Sequence, residues 1–128
     1  MLVVKLYEGA LRFIRMARTS QEAGKVASRA TAIAKTLAIV NELQHSLNLQ
    51  EGGEIARNLD SLYFYVSDRL LEANARGTVQ PLDDASGVLS TLNEAWVEIA
   101  RRPRAGMGEA ASLDTLASAS ERARALSR

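Results

Sequence analysis

Between Ile55 and Ala73 apolar residues recur in steps of three and four, at Ile55, Leu59, Leu62, Val66, Leu70 and Ala73. At about 100° per residue these six positions share one face of an α-helix, and a period-two strand cannot bring them together. A long helix with one apolar stripe must bury that stripe against other helices, because it cannot form a core alone. An all-α bundle is therefore the first expectation, and the remaining sequence extends it.

Leu2 to about Ala23 reads as an amphipathic helix with Val3, Leu6, Ala10, Phe13 and Ala17 on its face, Tyr7 and Ile14 beside them, and Gly24 as a C-terminal stop. Gly9 inside it costs about 1 kcal/mol relative to Ala, so a close neighbour or some slack is expected there. Val26 to Leu47 forms a second helix. Its stripe of Ala30, Ile33, Leu37, Val40 and Leu47 is widened by Ala32, Thr36, Ile39 and Leu43, an apolar arc of about 160°. That arc exceeds what a two-neighbour contact requires, and Ile39 and Leu43 lie on its excess side. After the glycine turn "EGGE" comes the Ile55 stripe, ending near Gly77. Pro81 suits the first turn of a fourth helix, Asp83 and Asp84 its positive end, and Arg101 and Arg102 its negative end. Leu82, Ala85, Val88, Leu89, Leu92, Trp96 and Ile99 form its inward face.

The expected architecture is an antiparallel four-helix bundle over residues 1–100. Residues 101–128 form an Arg-, Ala- and Ser-rich C-terminal extension, marginally helical or disordered, with a short fifth helix as its most ordered form. Leu113, Leu116 and Leu126 are the only large apolar residues of its last twenty positions. The extension carries six arginines against three acids, whereas residues 1–100 carry ten basic and twelve acidic groups.

The net charge of +1 supplies no global field for nucleic acid, and no apolar run approaches the length that crosses a bilayer. Cysteine is absent, which removes thiol chemistry, and the sole histidine, His45, has no second imidazole for a metal site. "EGGE" lacks the Gly-Lys-Ser/Thr ending of a phosphate loop. Adjacent Asp83 and Asp84 diverge on a helix, a poor arrangement for paired acid/base work. The residues thus describe neither an enzyme nor a nucleic-acid or membrane protein, and no signal peptide is evident. A cytoplasmic location is expected.

Half of the six aromatic residues stand consecutively in "LYFY". Relative to the stripe, Tyr63 lies about 65° to one side, Tyr65 about 95° to the other and Phe64 about 165° away. Phe64 is expected to face outward and the two tyrosines to flank the core. With the wide arc of the second helix, this excess apolar surface suggests a groove that receives an amphipathic helix.

The strings "LYEGALRFI" (Leu6 to Ile14), "AIVNELQHSLN" (Ala38 to Asn48), "GGEIARNLDSLYFYVSDRLLEAN" (Gly52 to Asn74) and "LSTLNEAWVEI" (Leu89 to Ile99) resemble the FliS family of flagellin export chaperones. The likeness runs in order over about residues 2–100. It implies a cytosolic helical bundle that binds the disordered C-terminal segment of flagellin, which wraps around it as helices and extended pieces. Binding then prevents premature polymerisation and delivers the client to the flagellar type III export gate; no cofactor is implied. Tyr7, Gly9 and Ala10 match the family's "LY-x-GA" motif, and Tyr63 and Tyr65 its "LY-x-Y" pair; Phe64 stands where members often carry a polar residue. Tyr7, Ile39, Leu43, Tyr63, Phe64 and Tyr65 are the candidate partner-binding residues. Members usually carry a longer segment before "LY-x-GA", which can lie over the bundle when flagellin is absent. Here Leu6 follows Met1 by five positions: either the start is internal to a longer chain, or the chain is truncated, or this member lacks the cover, and if the cover is missing an exposed groove and self-association are expected. A self-assembling bundle, or an adaptor for another exported flagellar protein, is the alternative reading.

Overall fold

The computed structural model describes the backbone of residues 2–47, 52–101 and 104–127, and the side chains of 3–47, 52–101 and 113–127. Its elements are helices: α1 (Leu2–Glu22), α2 (Val26–His45), α3 (Gly53–Arg76), α4 (Gln80–Arg101) and α5 (Arg104–Leu126). The first four form a ring in which α1 touches α2 and α4, and α3 touches the same two from the opposite corner. Side-chain bonds show the antiparallel sense. Gln44 near the end of α2 donates to Asp60 near the start of α3 at 2.9 Å. Arg18 near the end of α1 meets Asp83 at the start of α4, also at 2.9 Å. The fold is the all-α bundle that the periodicity called for, and the C-terminal helix left open as a short or marginal one is α5.

The helix ends follow the local chemistry. Gly77 closes α3 in the left-handed region (φ 66°), and its N–H donates to Ala73 O at 2.9 Å. The carbonyls left free there are met from outside: Gln21 Nε2 donates to Gly77 O, and Arg29 Nη2 to Asn74 O at 3.1 Å. These contacts satisfy groups that would otherwise end the helix unpaired. Pro81 occupies the first turn of α4, where its missing N–H costs nothing. Asp83 and Asp84, beyond serving the helix start, reach across to Arg18 on α1 and, at 3.8 Å, to Arg69 on α3. Arg102, assigned to the opposite end of that helix, lies outside the described residues, as do positions 48–51 of the turn.

The inward face of α2 differs from the stripe expected of it. Ala32, Ile33, Thr36, Val40 and Leu43 are buried, whereas Leu37 and Ile39 are only partly covered. Leu43 therefore belongs to the core rather than to surplus surface. The two neighbours of α2, α1 and α3, together cover a wider arc than the sequence reading assigned to a two-neighbour contact. Thr36 enters this face because its hydroxyl donates to Ala32 O at 2.9 Å, leaving its methyl to pack. Ile39 lies over Gly9, where a Cβ would stand 3.4 Å from Ile39 Cδ1. The glycine thus fits a close approach of the α2 side chain to α1.

Helix α5 spans 23 residues and rests on α3 and α4. Its contact face is Leu116, Ala119, Ser120 and Ala123, all buried, while Leu113 and Leu126 remain about half exposed. Small side chains at helical spacing let this helix approach closely with little large apolar surface. Arg122 and Arg124 stay exposed.

Candidate functional site

At the end of the bundle where α1 and α3 begin and α2 and α4 finish, the helices leave an open apolar cavity of about 400 Å³. Val3, Leu43, Leu47, Ile55, Leu59 and Leu113 give it aliphatic walls, and Tyr63 and Trp96 add aromatic surface. Among the described residues no charged side chain lines it. An apolar recess of this kind gains by burying aliphatic side chains from a partner and discriminates by shape.

Behind the cavity lies a buried aromatic cluster. Tyr7 on α1 and Tyr63 on α3 join hydroxyls across the diagonal of the bundle at 2.6 Å. Their ring centroids are 6.4 Å apart, and the Trp96 ring stands 6.5 Å from Tyr7. Both pairs are tilted, within the range where aromatic quadrupoles attract. Burial raises the Tyr7 pKa well above its ordinary value, and the neighbouring Tyr63 adds to the rise. Burial also pushes Tyr63 up to about 12, against a smaller lowering by its bond to Tyr7. Both hydroxyls consequently stay neutral at physiological pH, and each satisfies the other's need for a partner.

The six sequence candidates divide between these environments. Leu43 and Tyr63 line the cavity, although each is only 2 % exposed. Tyr7, expected on the groove, is instead fully buried behind the wall; its hydroxyl can be buried because Tyr63 pairs with it. Tyr63, expected at the core boundary, is inside it for the same reason. Ile39 sits farther along α2 over Gly9. Tyr65 is half-buried, its pKa raised by burial and then by the nearby Asp84 carboxylate. Phe64 faces solvent at 63 % exposure, as the angular argument required. The candidate list omitted Val3, Leu47, Ile55, Leu59, Trp96 and Leu113 from the cavity. Their sequence signal is their common location at helix ends that an antiparallel ring brings together.

His45 is exposed and bonds through Nδ1 to Asn41 O at 2.8 Å, one turn back in its own helix. Among the described residues no cluster of three His, Asp or Glu side chains could hold a metal ion, and no helix is long and apolar enough to cross a membrane.

The recess and the aromatic cluster behind it thus give the bundle an apolar face at this end. Comparison with known proteins defines the class. The family model described as "Flagellar protein FliS" matches residues 1–103. The flagellar secretion chaperone FliS of Salmonella typhimurium is 38 % identical over 109 residues, covering 84 % of this chain and 79 % of the relative. The flagellar secretion chaperone FliSB of Pseudomonas aeruginosa is 34 % identical over 95 residues, 74 % of this chain and 75 % of the relative. More distant in sequence, the Bacillus subtilis flagellar secretion chaperone FliS is 28 % identical over 110 residues, with coverages of 84 % and 81 %. The chain belongs to the FliS family of flagellar secretion chaperones. That is a family of chaperones, not enzymes, and an exported flagellar protein is the class of partner it serves.

Proposed function

We propose that this chaperone acts in the bacterial cytosol on flagellin, binding its disordered C-terminal segment, preventing premature polymerisation and presenting the complex to the flagellar type III export gate. The observation that carries the reading is the apolar cavity formed by Leu43, Leu47, Ile55 and Leu59 in a FliS-family chain. A segment without a core of its own exposes the aliphatic side chains that such a recess takes up. Ordering it on binding costs conformational entropy, so a large contact surface accompanies moderate affinity. In this assignment Leu43 and Tyr63 contact the client, Tyr7 fixes the Tyr63 ring from behind, and Ile39 holds α2 against α1. A client that wraps around the bundle also covers the outward Phe64 and half-buried Tyr65.

The test is size-exclusion chromatography with light scattering, using monomeric flagellin and flagellin lacking its C-terminal segment. A 1:1 complex should form with the first and not with the second. Leu47→Glu, which places a carboxylate on the partly exposed wall, should abolish the complex while leaving the helical spectrum unchanged. Equal complex formation by truncated flagellin would refute the assigned client segment.

A further inference from the structure

At the opposite end of the bundle, α1 and α2 enclose a second recess that is separate from the cavity beside Tyr63. Its volume is about 490 Å³, and its lining includes Phe13, Met16, Ala23, Ala27 and Ala32. Met16 is 50 % exposed, and small residues make up much of the remaining wall. From Phe13 the groove follows α1 to its end and reaches Ala23 just beyond it, ten positions on and about 15 Å at the helical rise. That length accommodates about three turns of a docked helix.

Its charge is one-sided. Between Gly9 and Thr36 the chain carries six Lys and Arg residues against one acid, Glu22. Two of the cations are already engaged: Arg18 by Glu22 and Asp83, and Arg29 by Gln21 and the end of α3. Lys35 lines the groove 5.4 Å from the Phe13 ring centroid and Lys25 lines its opposite end, while Arg12, outside the lining, stands 5.3 Å from the same ring. Among the described residues, none of Arg12, Lys25 and Lys35 has a carboxylate partner. A mainly apolar trough whose wall also holds the hydroxyls of Thr19, Ser20, Ser28 and Thr31, and whose charged residues among those described are the lysines Lys25 and Lys35, is complementary to a particular kind of surface.

We infer that the α1–α2 groove docks an amphipathic helix whose apolar face is flanked by carboxylates. The trough buries the apolar face, while Lys25 and Lys35 meet the acidic flanks and fix the orientation of the docked helix. A nucleic-acid strand would satisfy the cations but leave Met16 and the alanine wall without an apolar partner.

The test uses the full chain, isotopically labelled, and a helical peptide of about 16 residues with Leu at helical spacing and Glu on both flanks. A twin peptide carries Lys at every Glu position. The acidic peptide should bind saturably, moving the amide resonances of Phe13, Met16, Ala27 and Thr31. The Lys twin should bind at least about ten-fold more weakly, and higher salt should weaken the acidic peptide. Lys25→Glu/Lys35→Glu should remove most of the affinity, and Ser28→Trp, which fills the trough from an exposed position, should compete with the peptide. Each variant must retain the thermal transition of the parent chain. Equal binding of the twin, shifts confined to Leu43, Leu47 and Leu59, no saturation by about 1 mM peptide (a weaker interaction than about 4 kcal/mol), or preference for a single-stranded oligonucleotide at these residues would each overturn the inference.

Discussion

Tyr7 and Tyr63 form a pair whose value depends on both members. Tyr7→Phe removes one hydroxyl and leaves the other buried without a partner, so it should cost about 1–3 kcal/mol in urea unfolding. Tyr63→Phe should cost a similar amount. The double variant should lose markedly less than the sum, because no orphaned hydroxyl remains. The pair also sets an alkaline limit. An unfolded tyrosine ionises near pH 10, whereas folded Tyr63 holds its proton to about 12 and Tyr7 is raised as well. A raised folded pKa means that the stabilisation is complete below about pH 10 and disappears as pH climbs towards 12. Unfolding free energy measured across this interval should therefore fall for the parent chain and fall less steeply for the double variant. The motifs "LY-x-GA" and "LY-x-Y" were visible in the sequence, but the bond between them was not. Helical phase locates each ring on its own helix and says nothing about which ring lies across the bundle.

The elements themselves were legible wherever apolar periodicity and a chemical stop coincided. The stripe from Ile55 to Ala73 with Gly77 after it corresponds to α3, and Pro81 marks the first turn of α4. Gly77→Ala should destabilise the chain by about 1 kcal/mol, because its φ is +66° and the new Cβ would lie 3.1 Å from Arg29 Nη1; thermal unfolding reads this directly. What periodicity could not supply was how wide an arc of each helix its neighbours cover. The surplus arc of α2 looked like a binding face, whereas Thr36 and Leu43 face the core because α1 and α3 cover more of that arc than the reading allowed. The small-residue face of α5 was inconspicuous for a related reason: Ala119 and Ala123 contribute through close approach rather than through large side chains. Replacing Ala123 by Leu should force α5 away at a cost of about 1–3 kcal/mol. Hydrogen exchange should then accelerate in the described part of α5 while the central amides of α1 and α3 retain their protection.

For the whole molecule, family membership and fold converge on partner binding, and the apolar cavity makes that convergence physical. Its residues were hard to select from sequence because Val3, Ile55 and Trp96 come from three helices, Leu47 follows the end of α2, and they meet only through antiparallel packing. Burial of aliphatic surface there predicts a negative heat-capacity change, the most robust thermodynamic mark of apolar burial. The decisive measurement is calorimetric titration of the chain, at several temperatures, with a peptide covering the C-terminal region of the flagellin encoded with it. Saturable 1:1 binding with a large negative heat-capacity change, lost in Leu47→Glu, is the predicted result. A folded chain that shows no binding, or binds with no heat-capacity change and is indifferent to Leu47→Glu, would contradict the assignment of flagellin to this cavity.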